Sequence, residues 1–184
     1  MKTHKKFALL MVASLVGSLM LVSGAAMAQA TNSASATATA VVVAPITVSK
    51  TADMVIGNLV AGNGTVTVST TGVRTKTGGI PFSTSGDTPV AAQFTVTGTA
   101  NNSFSLDYTG SSNSLSSGPN NLPVDWITEV ASAASGKTVA TSDATTGALI
   151  AGVATIWAGA ALSVGASQPA GTYTGTLAIT VAYN

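Results

Sequence analysis

The stretch Gly171–Asn184 reads "GTYTGTLAITVAYN", and its pattern decides the fold class. Tyr173, Gly175, Leu177, Ile179, Val181 and Tyr183 fall on one parity, and Thr174, Thr176, Ala178, Thr180 and Ala182 on the other. Successive side chains of a strand point to opposite faces, so this spacing predicts a β-strand with one strongly apolar face. Only Asn184 follows Tyr183. Such a strand needs a neighbour, because a flat apolar edge left bare is a template for aggregation.

Upstream, the same period-two pattern recurs in short pieces. They are "GTVTVST" with Val66 and Val68, "AAQFTVTGT" with Phe94 and Val96, and "NSFSLDYTG" with Phe104, Leu106 and Tyr108. Further on come "LPVDWITEV" with Val124 and Trp126, "GVATIWAG" with Val153 and the Ile156-Trp157 pair, and "AALSVGA" with Leu162 and Val164. Turn formers separate the pieces: Gly62-Asn63-Gly64, Gly78-Gly79, Asn101-Asn102, Gly118-Pro119 and Gln168-Pro169-Ala170-Gly171. The chain is rich in Ala, Thr, Ser, Gly and Val, a mixture that favours strands and turns over helices. Many short strands at this spacing predict an all-β sandwich or barrel. No stretch reads as a long amphipathic helix. The least patterned segment, "TEVASAASGKTVATSDATTG", reads as a long loop with room for a short hairpin.

The opening "MKTHKKFALLMVASLVGSLMLVSGAAMA" has a different character. Lys2, Lys5 and Lys6 precede an apolar run from Phe7 to Val22, and Ala26-Met27-Ala28 supplies a small-residue cleavage pattern. This predicts a secretory signal peptide over residues 1–28 and a mature start at Gln29. The competing reading, a retained membrane anchor, has an apolar stretch short for a span and no charged stop after it.

Export fixes the chemistry that remains. Removing 28 of the 184 residues leaves 156, enough for one domain. The only histidine, His4, leaves with the leader. Lys50, Arg74, Lys76 and Lys137 then face Asp53, Asp87, Asp107, Asp125, Glu129 and Asp143, four positive against six negative, a formal charge of −2. That balance offers no basic footprint for nucleic acid or an anionic membrane. Cysteine is absent, so stability must rest on packing and hydrogen bonding alone.

Without His or Cys there is no Ser-His-Asp or Cys-His nucleophile and no zinc held by those side chains. Asp125 and Glu129 are the remaining acid pair of the kind a glycosidase needs, but separated acids on a polar segment read as solvated surface. Asp53, Asp87 and Asp143 lie in turn-rich stretches, where capping explains them, and no calcium-loop spacing occurs. No enzyme, cofactor or metal is therefore expected. Trp126 and Trp157 sit in apolar strand patterns and read as core; Trp157 also leaves a sugar-stacking platform open.

The neighbour of the last strand can come from the other end. Within "QATNSASATATAVVVAPITVSK", Ala34, Ala36, Ala38, Ala40 and Val42 share one face, and Ser35, Thr37, Thr39, Val41 and Val43 the other. Pro45 interrupts, and Ile46 and Val48 resume the alternation towards Lys50, which predicts two strand pieces joined at a bend. The tract also has the composition of a linker. Joining the two ends gives one arrangement: residues 29–43 of one copy add as a donor strand beside Leu177, Ile179, Val181 and Tyr183 of the next copy. Repeated head to tail, this heterologous contact yields an open fibre. Four alanines and a valine bury on the order of 5 kcal/mol of apolar surface at about 0.8 kcal/mol per CH₂. Roughly ten main-chain hydrogen bonds at about 0.5–1.5 kcal/mol each contribute as much or more.

At these residues the chain also resembles a known family. "ATATAVVVAPITVSKTADMVIGNLVAG", "AAQFTVTGT" and "QPAGTYTGTLAITVAYN" are similar to the bacterial domain of unknown function 4402, whose members resemble spore-coat-U and archaic chaperone–usher pilin subunits. The resemblance spans nearly the whole mature chain and is most specific at its two ends. It implies an incomplete immunoglobulin-like β-sandwich over residues 44–184. Such a subunit is held by a periplasmic chaperone, secreted through an outer-membrane usher, and completed by donor-strand exchange with other copies of itself. The expected product is a surface fimbria or pilus for cell adhesion and biofilm, with a host or abiotic surface as its outer contact. The chain departs from many pilins in having no cysteine.

Two rival readings belong to other classes. A small outer-membrane barrel also ends in an alternating, aromatic-tipped strand, but three Phe, two Trp and three Tyr beyond residue 28 are few for two aromatic girdles. A secreted carbohydrate-binding or adhesin module would need a sugar stacked on a tryptophan.

Overall fold

The computed structural model describes residues 31–81, 86, 88–139 and 143–184. The expected signal peptide, Gln29 and Asp87 lie outside the described residues. Residues 31–40 are exposed and carry no regular secondary structure, and they fall in a unit separate from Val41–Asn184. Val41–Asn184 is the compact unit that holds the strands.

No described residue is helical, and the all-β expectation holds. The strands are β1 (Thr47–Ala52), β2 (Gly64–Val68), β3 (Arg74–Gly78), β4 (Ala92–Thr97) and β5 (Ser103–Asp107). They continue with β6 (Ser114–Ser117), β7 (Asn120–Val130), β8 (Thr146–Ala148), β9 (Val153–Val164) and β10 (Thr180–Tyr183). All pairings between them are antiparallel. β9 organises the larger sheet. Along one edge its residues 156–162 pair with β7; the other edge is shared, β4 lying beside residues 153–158 and β2 beside 160–164. β1 pairs with β4, β3 with β2, and β6 with β7. The smaller sheet has the order β10-β5-β8.

Two short strands expected on either side of Gly159 are therefore one strand of 12 residues. Gly159 permits the continuity. It pairs with Ile127 across the ladder, while a Cβ there would strike the Val68 carbonyl oxygen, so a larger residue would push β2 away at the handover from β4 to β2.

Parity along β9 builds the core. Ala154, Ile156, Ala158, Ala160, Leu162 and Val164 are buried on one face. Towards one end, Ala154, Ile156 and Val96 of the larger sheet pack with Phe104 and Leu106 of the smaller one and with Leu149. Towards the other, Leu162, Val164 and Val66 pack with Ile80, Leu115 and Leu122. Each fully buried side chain of this size contributes about 1.5–3 kcal/mol. The Lys50–Asp53 pair, with 55% and 74% of its side chains exposed, contributes about 0–1 kcal/mol. Packing, not charge, holds the domain.

Polar groups inside are all satisfied: among the described residues no buried side-chain nitrogen or oxygen lacks a partner. The loop after β7 is tied down this way. The Lys137 backbone N–H donates to Thr70 Oγ1 and its ammonium to the Thr128 carbonyl, while Asp143 accepts the Thr128 N–H.

Candidate functional site

The final segment is less of a strand than its alternation predicts. Of residues 171–184 only Thr180–Tyr183 form β10, paired with Asp107–Phe104 of β5. Serines explain the shortening. The Ser111 hydroxyl accepts the Ala178 N–H and donates to its carbonyl, and the Ser112 hydroxyl accepts the Thr176 N–H. Side chains thus stand where most of the backbone groups would continue the ladder, the Ser112 N–H still donating to the Thr176 carbonyl. Regular pairing returns at Thr174, which exchanges both backbone bonds with Ser116.

All of these bonds come from even-numbered residues and lie on one side. The N–H and C=O groups of Tyr173, Gly175, Leu177, Ile179, Val181 and Tyr183 therefore point to the opposite edge, and no strand of the described residues pairs there. The edge also lacks the usual protection. β3 carries Arg74 and Lys76 and β1 carries Lys50, charges of the kind that discourage edge pairing, whereas residues 173–183 carry none.

The odd-numbered side chains of this edge lie against the core. Ile179, Val181 and Tyr183 are half-buried against the core that contains Phe104, and Tyr173 against the one that contains Leu115. Leu177 is half-buried but belongs to neither cluster. A second rail was not assigned a role from sequence. Ile46 and Val48 are half-buried against the first core, and Met54, Ile56 and Leu59 against the second. β1 is the outer strand of its sheet, β10 the outer strand of the other, and the two approach one another. The core is thus only partly covered along the line where residues 46–59 and 173–183 meet. The spacing of Met54 and Ile56 after Ile46 and Val48 is the signal that could have identified this rail.

A hydroxyl ties the two rails together at one end. Tyr183 Oη donates to the Ala44 carbonyl at 2.8 Å and accepts the Thr99 N–H at 2.7 Å, while the Ala44 N–H donates to Thr99 Oγ1 at 2.8 Å. This fixes the backbone at Ala44, immediately after the alanine-rich tract. Of the residues assigned to that tract's donor face, Ala34, Ala36, Ala38 and Ala40 are exposed and non-regular, and Val42 is 95% exposed.

The acids do other work. Asp125 is exposed, and four residues along β7 place it about 13 Å from Glu129, beyond the roughly 5–9.5 Å between glycosidase carboxylates. Burial acts to raise the Glu129 pKa, but hydrogen bonds from the Ser135 hydroxyl and N–H and from Thr70, with the Lys137 charge, hold it below its ordinary value. Asp107 accepts the Thr109 hydroxyl and N–H, which lower its pKa. Asp53 pairs with Lys50, and Asp143 lies 3.7 Å from Lys137. Among the described residues no three His, Cys, Asp or Glu side chains converge on a metal position. Trp126 packs on the Leu115 core and donates to the Ser112 carbonyl; Trp157, half-buried, donates to the Ala131 carbonyl.

No curated protein and no solved structure significantly matches the chain. A family model does, over residues 46–183, a span that includes both rails, from Ile46 to Tyr183. The chain belongs to the family described as domain of unknown function (DUF4402).

Proposed function

We propose that the protein is an exported structural subunit whose groove is filled by the N-terminal segment of another copy, giving a surface fibre of the fimbrial kind. One observation carries this reading: an eleven-residue, uncharged edge, residues 173–183, offers backbone groups that no strand of the described residues pairs, beside a half-buried apolar rail. Two sheets with a shared core and one open seam fit an immunoglobulin-like sandwich lacking a strand. The tract that would supply it, residues 29–43, alternates over a similar length, from Ala34 to Val43. The burial of Phe104, Ile156 and Val96 between sheets also favours this reading over a membrane barrel, whose apolar band faces outward.

On this reading the chain is a chaperone–usher type pilin, akin to the spore-coat-U and archaic pilin subunits. A periplasmic chaperone covers the groove until an usher exchanges it for the next copy's donor strand. Deletion of residues 29–43, with the signal peptide kept, is expected to leave an exported, chaperone-bound subunit and no fibres in negative-stain microscopy. Normal fibres from the truncated chain would overturn the proposal.

A further inference from the structure

We infer that the end of the domain carrying Val43, Ile150 and Val153 is a docking face for the adjacent copy in the fibre, setting the angle between successive subunits. The inference rests on the donor-strand reading and adds a second contact to it.

Four residues, Ile150-Ala151-Gly152-Val153, make the turn between β8 and β9. Ala151 and Gly152 have φ of 53° and 84°, and the Val153 N–H donates to the Ile150 carbonyl. Two positive φ values in succession mark a type I′ turn, which Asn and Gly usually occupy. Here the turn holds up apolar side chains instead: Ile150 is 76% exposed and Val153 46%. The turn is tied to the clamp described above, since the Gly98 N–H donates to the Gly152 carbonyl, and Thr99, the next residue, donates its N–H to Tyr183 Oη and accepts the Ala44 N–H at its Oγ1. The exposed Ile150 and Val153 therefore flank the point at which the chain leaves the domain.

Geometry then identifies the occupant. Ala44 is held at both its N–H and its carbonyl, and Val42 is the last residue assigned to the donor face. Only Val43, 45% exposed, lies between them. Two residues of extended chain span about 7 Å, so a copy holding Val42 in its groove must abut this end of the donor's own domain. No flexible spacer separates the two. An apolar tip within that reach is covered by the neighbour, as Ile150 and Val153 require.

The full chain with Ile150→Lys, and with Ile150→Lys and Val153→Lys together, tests this against Val73→Lys, a similarly exposed valine elsewhere. Two readouts are needed: a detergent-resistant subunit ladder on gels, and the distribution of inter-subunit angles by electron microscopy. The expected result is an intact ladder with a clearly broadened angle distribution for the Ile150 variants and not for Val73→Lys. A ladder with wild-type angles in both Ile150 variants overturns the docking face alone. Absence of a ladder from the wild type removes the donor-strand reading and this face with it. Ile150→Ser gives the same comparison if lysine disturbs the turn.

Discussion

Ile179 and Thr180 are adjacent yet face different environments, and a single residue decides which. Ile179 is half-buried against the Phe104 core and Thr180 is exposed. In Ile179→Asp a carboxylate enters the groove, at a cost of several kcal/mol once a donor strand or chaperone excludes water. Thr180→Asp is a surface change of about 0.5 kcal/mol or less. Surface fibre should be lost in the first and kept in the second; equal fibre yields would mean that the assigned face is wrong. Glu129 gives a prediction in pH. Its pKa is held below the ordinary 4.5, so its contribution to stability is present above that value and is lost as pH falls through the folded-state pKa. Glu129→Gln should lower the melting temperature at pH 7, and the gap should close as pH falls below 4.5 and through the folded-state pKa. A gap of constant size from pH 7 to pH 3 would show that the carboxylate charge is irrelevant to the loop it holds.

Elements were legible where an apolar face repeats every second residue and hidden where it does not. β2, β4, β5 and β7 each place apolar residues such as Val66, Phe94, Leu106 and Trp126 at strand spacing, and each appears near its expected position. β3, "RTKTG", has no apolar residue, because it is an outer strand with little to bury, so its alternation of Thr with Arg and Lys gave no signal. β6 contributes one buried residue, Leu115, and is defined by its turn instead. Gly118, at φ 59°, followed by Pro119, joins Ser117 to Asn120 by a two-residue type II′ hairpin. The final segment failed in the other direction. Its apolar parity is sound, but side-chain hydroxyls on Ser111 and Ser112 take the Thr176 N–H and both Ala178 backbone groups, leaving only the Thr176 carbonyl with a backbone donor, the Ser112 N–H, and a periodicity argument does not see competing hydroxyls. The groove was half legible for a similar reason. Its C-terminal rail announces itself in one run, whereas Ile46 to Leu59 is broken by Lys50 and Asp53 and acquires its meaning only beside the other rail.

At the scale of the whole molecule, the domain has one long seam that its own core leaves half-covered, and it has no disulfide to hold that seam shut. Anything that binds the seam in the folded state alone must stabilise the fold by mass action. A synthetic peptide of residues 29–43 added to the chain lacking them tests the seam without any secretion apparatus. Six residues of the 173–183 edge present backbone groups that no strand of the described residues pairs, so the peptide can gain a full ladder while its alanines occupy the space between the rails. At 100 times its dissociation constant it should add about 2.7 kcal/mol, and the melting temperature should rise on the order of 10 °C for a domain of this length. Parity makes the control sharp. A peptide with Ala36→Asp and Ala38→Asp turns charges into the core, whereas one with Thr37→Asp and Thr39→Asp turns them to solvent. The first should give no shift and the second most of the wild-type shift. Equal shifts from the two would mean that the segment binds without strand register, and the seam would then not be a site for a donor strand.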